Sequence, residues 1–374
     1  MSRSPCSPHS APARPRARRA LVCGVAALAL AATACGGPDP IVACEPANGI
    51  TPVCGFHNPE DLVVDASGSW LIVSQAPLGE HRGELVAYEP ATGERRTLHP
   101  STVAPVGAPS ATAGDASCDG PPDPAQFAPH GIDLAPDGAT LYVVGHGARE
   151  AVEIFRASAT PRGPRLEWIG CVAMPEGAMM NDVAAMPDGD GFVVSRMTTL
   201  GLGGMVAIAR GGTTGEVLRY SRASGLRPVP GTTGAAPNGV AVARDGSAVY
   251  FAEWSAGSVT RVALDGSGRR SASVGFSPDN LSWRADGGLL VAGQRATPLQ
   301  ATACFDVEEG SCGLASAVAV LDPETLAVRR ILTNDPAVAI GGVSAAVAHA
   351  GRIWLGSFGG DRIAWIDAAR ADAP

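Results

Sequence analysis

The sequence predicts an all-β chain, a six-bladed β-propeller with a central metal channel, and three observations predict it. One hairpin-like segment recurs six times along the 374 residues. Gly (47) and Pro (31) are abundant, as many short strands joined by tight turns require. No stretch sustains a helical period. With 45% hydrophobic and 17% charged residues, the chain has material for a large core and is not of disordered composition.

In chain order, residues 1–34 read as a lipoprotein-type signal peptide, 35–57 as an N-terminal tether, 58–368 as the propeller and 369–374 as a C-terminal tail. Arg14, Arg16, Arg18 and Arg19 form a basic start. Leu21–Ala34 is an apolar run too short for a bilayer span, which needs about 20 residues. It ends in Ala32-Thr33-Ala34-Cys35-Gly36, and small residues before a Cys resemble a bacterial lipoprotein processing box. Cys35 would then be the lipidated first residue of an exported, membrane-anchored protein in the cell envelope or at the cell surface. Ordinary signal cleavage in the Ala-rich stretch, giving a secreted protein, is the alternative.

Six cysteines follow Cys35, an even number that suits disulfides in an exported protein. Cys44–Cys54 and Cys304–Cys312 could each close a short loop, leaving Cys118–Cys171, among 15 formal pairings. No CxxC or HxxxH spacing marks a zinc site.

The repeat is a polar pair, an apolar stretch, an Asp-Gly-like turn and a second apolar stretch. Glu60-Asp61 precedes LVVDASGSWLIVS, and His130-Gly131 precedes IDLAPDGATLYVVG. Asn181-Asp182 leads VAAMPDGDGFVVS, Asn238-Gly239 leads VAVARDGSAVYFA, and Asp279-Asn280 leads LSWRADGGLLVA. The sixth and weakest copy, AAVAHAGRIWLGS, follows Gly342-Val343-Ser344. Further strand-like runs lie between copies, so two hairpins make each four-stranded blade. The copies are spaced about 40 to 70 residues apart, as blades with loop insertions are.

In a propeller the innermost strands line the channel, so the polar pairs converge on the axis. Glu60, His130, Asn181, Asn238, Asp279 and Asn280 would meet there from five blades. A single Asn often only caps a turn. The same repeat position in five copies points instead to a cage of carboxylate and amide oxygens without thiolates, which suits calcium.

The segments PEDLVVDASG, PHGIDLAPDGATLYVVGH, MNDVAAMPDG, PNGVAVARDGSAVYFAE and PDNLSWRADGGLLVAG resemble the serum paraoxonase/arylesterase family. More distantly they resemble gluconolactonase and strictosidine synthase-like propellers. The likeness runs from about Pro59 to the chain end. It implies a six-bladed propeller with two calcium ions in its channel. The shallower, catalytic ion would be held by Glu60, Asn181, Asn238, Asp279 and Asn280. The deeper, structural ion would be held by Asp61, Asp182 and the backbone carbonyl of Ile132. The family's histidine pair would match His130 and His146. The chain departs from the pattern at Gly145, in its short His130-to-His146 interval, at Ser195-Arg196-Met197-Thr198, and in having no Cys after Cys312.

The resemblance implies a calcium-dependent lactonase or arylesterase, with His130 as general base and His146 behind it. A non-catalytic, calcium-stabilised propeller lipoprotein that binds a ligand or partner at the cell surface is the alternative. There is no GxSxG nucleophile elbow. The chain has no lysine, which removes Schiff-base and P-loop chemistry. Formal charge is −8, and without the first 34 residues and their five Arg it is 23 minus 36, or −13. Such a balance repels nucleic acid. His57, His81, His99 and His349 read as surface or structural. The six Trp read as blade core, with Trp254 near the channel mouth. The stretches Pro100–Phe127 and Arg196–Thr214 read as long loops walling the pocket.

Overall fold

The computed structural model describes residues 38–77, 81–100, 113–115, 118–307 and 309–371. The expected signal segment 1–34 and Cys35 lie outside the described residues. Six antiparallel sheets follow one another in sequence. Their inner strands are Pro59–Val64, Ala128–Leu134, Ala178–Ala185, Pro237–Val242, Ser277–Trp283 and Val343–His349. Each inner strand touches the next, and the sixth touches the first, so the ring is closed. The chain is therefore a six-bladed β-propeller, as its repeats predict.

The hairpin turns explain why each copy carries a Gly. In blade 2 the Gly138 N–H donates to the Ala135 carbonyl at 2.8 Å. Gly138 holds φ 66°, a value that costs Gly little. Asp137 fixes the turn by accepting from the N–H groups of Ala139 and Thr140, at 2.7 and 2.9 Å.

The apolar strand faces pack between blades. Six buried clusters lie one at each blade boundary. Trp70 and Leu85 of blade 1, for example, meet Phe127, Leu141 and Phe155 of blade 2. The core is thus a ring of interfaces around the axis, which leaves the channel to polar groups. All three disulfides form as the spacing suggests: Cys44–Cys54, Cys118–Cys171 and Cys304–Cys312.

Three sequence expectations are corrected. The tether assigned to residues 35–57 is built into the propeller from Pro38 on. Ile50–Cys54 pairs antiparallel with Arg362–Asp367 and is the outer strand of blade 6. The chain end supplies blade 6 with only three strands, so the N-terminal segment provides the fourth and closes the ring. The stretch 196–214 is not all loop: it continues a strand to Thr199 and carries an α-helix, Leu202–Ala209. The stretch 100–127 contributes Ala113–Gly114, which pairs in parallel with Gly170–Cys171 at the outer edge of blade 2.

Candidate metal centre

Each inner strand carries a register shift at its polar pair. The shifts fall at Pro59/Asp61, Pro129/Ile132, Met180/Val183, Pro237/Val240, Pro278/Leu281 and Val343/Ala346. Regular strands send neighbouring side chains to opposite faces, and a bulge re-aims them. The six bulges thus fall at equivalent positions of the inner strands, where the polar pairs stand.

Space for them comes from alternation around the ring. The second residue of each pair reads Asp61, Gly131, Asp182, Gly239, Asn280 and Ala345. A Cβ on Gly131 would lie 2.5 Å from Asp182 Oδ1, and one on Gly239 would lie 2.2 Å from the Asp279 carbonyl. Small residues thus stand where the next blade's polar pair intrudes.

Glu60, Asn181, Asn238, Asp279 and Asn280 are all buried. Asn280 Nδ2 donates to Glu60 Oε1 at 3.0 Å across 220 residues of sequence. Gln294 Nε2 donates to Asp279 Oδ2 at 2.5 Å and to the Val343 carbonyl at 2.8 Å. Ser344 Oγ donates to the Glu60 carbonyl at 2.6 Å, so blade 6 braces the ring.

Four buried oxygens here have no hydrogen-bond partner: Glu60 Oε2, Asn181 Oδ1, Asn238 Oδ1 and Asn280 Oδ1. An unpartnered buried acceptor costs about 1–3 kcal/mol, and a bound cation is one group that would satisfy such oxygens. Among the described residues no three His, Cys, Asp or Glu side chains form a metal-binding group. The donor set is instead rich in amide oxygen, which suits a hard cation such as calcium. Burial pushes the carboxyl of Glu60 well up, and Asp61, Asp279 and Asp182 push it further. Burial raises Asp279 as well, against the opposing hydrogen bonds from Gln294 and Asn238. Positive charge in the ring would relieve both.

Deeper in the channel, Asp61 accepts from the N–H groups of Leu62 and Ile132, both at 2.8 Å. Asp182 accepts from Val183 at 2.8 Å and Val240 at 2.7 Å. Asp133, missed in the sequence, accepts from Ala185 at 2.7 Å. Each of these carboxylates ties its blade to the next. Both carboxylate oxygens of Asp61 and both of Asp182 are taken by these backbone N–H groups, one of them that of Ile132. Below this set the channel widens to about 600 Å³, lined by all six blades.

His130 lies beside the upper ring. Its Nδ1 is 2.9 Å from the Asn181 carbonyl, so Nδ1 carries the proton and Nε2 the lone pair. Nε2 is 3.9 Å from Glu60 Oε1. Burial, with His146 adding to it, lowers the His130 pKa to about 3, so the ring is neutral at physiological pH. The His146 ring lies 5.3 Å from it, centroid to centroid. Glu150 holds His146 at Nδ1, 2.8 Å away, and accepts from the Met180 N–H at 2.6 Å. Neither Glu150 nor Gln294 was legible in the repeat, because both lie outside the polar pair. Their only signals are the four-residue offset of Glu150 from His146 and the position of Gln294 at the end of its hairpin.

The mouth above the ring is partly apolar. Trp254 Nε1 donates to Gln294 Oε1 at 2.9 Å, which links the mouth to Asp279. Met197 Sδ lies 3.9 Å from Asn181 Nδ2.

No protein-family model matches the chain, and no curated protein matches it in sequence. Solved structures match its shape. A luciferin-regenerating enzyme superposes with a TM-score of 0.54 at 14% identity, over 88% of this chain and 95% of its own. A provisionally named gluconolactonase gives 0.51 at 18% identity, over 88% and 98%. A PQQ-bound aldose sugar dehydrogenase from Streptomyces coelicolor gives 0.50 at 17% identity, over 88% and 99%. Likeness at such identities establishes the shared six-bladed propeller fold and leaves the chemistry to the ring itself.

Proposed function

We propose that this chain is a calcium-dependent hydrolase of lactones or aryl esters. One observation supports the reading: buried oxygens of Glu60, Asn181, Asn238 and Asn280, from four different blades, have no hydrogen-bond partner, and the Nε2 of His130 lies 3.9 Å from Glu60 Oε1. Glu60, Asn181, Asn238, Asp279 and Asn280 would hold the ion, and Glu60 with Asp279 would balance its charge. When bound, calcium supplies electrophilic polarisation of a carbonyl oxygen. The sequence resemblance and the lactonase name of one structural neighbour point to the same class.

The chain's own residues supply the rest. His130 takes a proton from the attacking water at Nε2, while its Nδ1–H stays on the Asn181 carbonyl. His146 is a positioning residue: Glu150 fixes its tautomer, and its partly exposed ring passes the proton towards solvent. Gln294 holds the Asp279 carboxylate in its ligating direction. A second, deeper ion would rest on Asp61, Asp182 and the Ile132 carbonyl.

Hydrolysis of phenyl acetate and of γ- and δ-lactones, with calcium and with chelator, tests the reading. Turnover is expected only with calcium. His130→Gln should lower kcat by about a hundred- to ten-thousand-fold and leave calcium affinity unchanged. Asn238→Ala should weaken both. Calcium binding without turnover on any of these substrates would leave the non-catalytic propeller as the reading. Calorimetric stoichiometry decides between one ion and two.

A further inference from the structure

Two side chains at the channel mouth set the direction of two amides below them. Gln294 is buried, and the two ends of its amide face different partners. The indole N–H of Trp254 only donates, so it takes Oε1, at 2.9 Å. That leaves the Nε2 hydrogens for Asp279 Oδ2 at 2.5 Å and the Val343 carbonyl at 2.8 Å. Asn181 follows the same logic. The Met197 thioether only accepts, and it lies 3.9 Å from Nδ2. Nδ2 is thereby turned to the sulfur, and Oδ1 is the end of the amide without a partner.

Neither Trp254 nor Met197 belongs to a polar pair. Both are held by the insertions between the second and third strands of blades 3 and 5, which leave their sheets at the polar-pair end. Trp254 opens a short helical turn, Trp254–Ala256, after the second strand of blade 4. Its ring shares a buried cluster with Ile208 of the helix Leu202–Ala209 in blade 3, and with Ala301, Cys304 and Cys312 of the blade 5 insertion. Met197 packs against the same cluster. The helices of the two insertions, Leu202–Ala209 and Pro298–Thr302, touch each other. One apolar cluster therefore bears on two proposed ligands, on Asp279 through Gln294 and on Asn181 through Met197.

We propose that Trp254 and Met197 are positioning residues for the ion, an inference that rests on the calcium reading above. Each engages one end of an amide and so decides which atom is left for the ring. Without the indole N–H nothing ties Gln294 Oε1, and a turned amide sets its oxygen against the Asp279 carboxylate. Without the sulfur, Asn181 offers Oδ1 or Nδ2 with little preference, and an NH₂ group repels a cation. Coupling of this kind is reciprocal. The mouth cluster raises ion affinity, and the ion in turn tightens the two mouth helices. Met197 stands in the stretch where the sequence departs from the family pattern, so the resemblance does not carry this arrangement over.

Calorimetric titration of calcium into chelator-stripped protein is the test. Trp254→Phe keeps a ring in the cluster and removes the N–H, so affinity should fall about three- to tenfold, the worth of one hydrogen bond. Met197→Leu keeps the volume and removes the sulfur, so affinity should fall about two- to fivefold, the worth of a weak one. Amide exchange at Leu202–Ala209 and Pro298–Thr302 should slow when calcium is added to the parent, and slow less in either variant. A purely structural role would quicken exchange equally with and without calcium. In a Gln294→Leu background, Trp254→Phe should cost no further affinity, because the path through the amide is already gone. Melting in chelator reads packing separately, and Met197→Leu carries the test if Trp254→Phe does not fold. Equal losses from Trp254→Phe in both backgrounds overturn the role of Trp254. Parent affinity retained in both single variants overturns the proposal and leaves the hydrolase reading standing. A parent chain that binds no calcium sinks the ring itself, and both readings with it.

Discussion

His99 lies between Phe127 and Phe155, with ring centroids 4.6 and 5.0 Å away, and its buried Nε2 has no hydrogen-bond partner. Burial lowers its pKa from the usual 6.5 to about 4. The folded state therefore resists a proton that the unfolded chain accepts from pH 6.5 downward. Stability is full above 6.5, falls as pH drops towards 4, and levels off below it. The difference corresponds to about 3 kcal/mol. Ring carboxylates titrate in the opposite sense, since burial raises them, so the test is a difference. Urea midpoints of the parent and His99→Phe, at fixed calcium from pH 8 to 4, should converge at high pH. At low pH the variant should be the more stable. Parallel curves would remove His99 as the cause. The sequence left His99 as surface or structural and could not show its burial, because its partners come from the next blade.

At the scale of the element, the inner-strand bulge turns a repeat into a site. Gly239 has no left-handed φ, so its need for glycine is purely one of space. Gly239→Ala places a Cβ 2.2 Å from a backbone carbonyl of the next blade, which must shift. Overpacking of this kind costs about 1–3 kcal/mol. It should also weaken calcium binding, since the displaced residues Asp279 and Asn280 are both proposed ligands. Gly246→Ala is the control: its turn holds φ 75° with nothing within 4 Å of the new Cβ. It should cost about 1–2 kcal/mol and leave ion affinity intact. Calorimetric titration and thermal melts separate the two, and equal affinity loss in both would sink the spatial argument. The polar pairs were legible because a repeat position shows in the letters. The bulge was not, because any residue can sit in it. The helix Leu202–Ala209 was hidden for another reason: eight mostly apolar and small residues carry no polar face to mark a period.

Closure governs the whole molecule. A propeller loses every blade interface next to an opened seam, and here the seam is held by chain from the opposite end. Repeat counting found six blades but left blade 6 one strand short, since Ile50–Cys54 belongs to no copy. Arg362 joins the two ends. It is fully buried, and its Nη1 donates to the carbonyls of Ala43 at 2.6 Å and Ala339 at 3.1 Å. Nη2 donates to Val42 at 3.2 Å, and Nε to Asp361 Oδ1 at 2.6 Å. A guanidinium serves because its fixed fork reaches several acceptors at once, whereas an ammonium is a point donor. Arg362→Met keeps an apolar stem, strands these carbonyls and should cost about 3–5 kcal/mol, the usual penalty for breaking a buried charged network. The loss should be local first. Amide exchange should quicken at Ile50–Cys54 and Arg362–Asp367 before it does in blades 2 to 4. Arg362→Lys should recover only part of the protection. The Cys44–Cys54 bridge joins two points of the N-terminal segment, the strap ahead of Ile50 and the outer strand of blade 6, and crosslinks neither to the C-terminal strands, so it restrains the free segment without fastening the seam. Reduction should therefore add to the Arg362→Met effect. Uniform exchange across all six blades in the variant would mean that the ring opens as one unit, with Arg362 no special fastening.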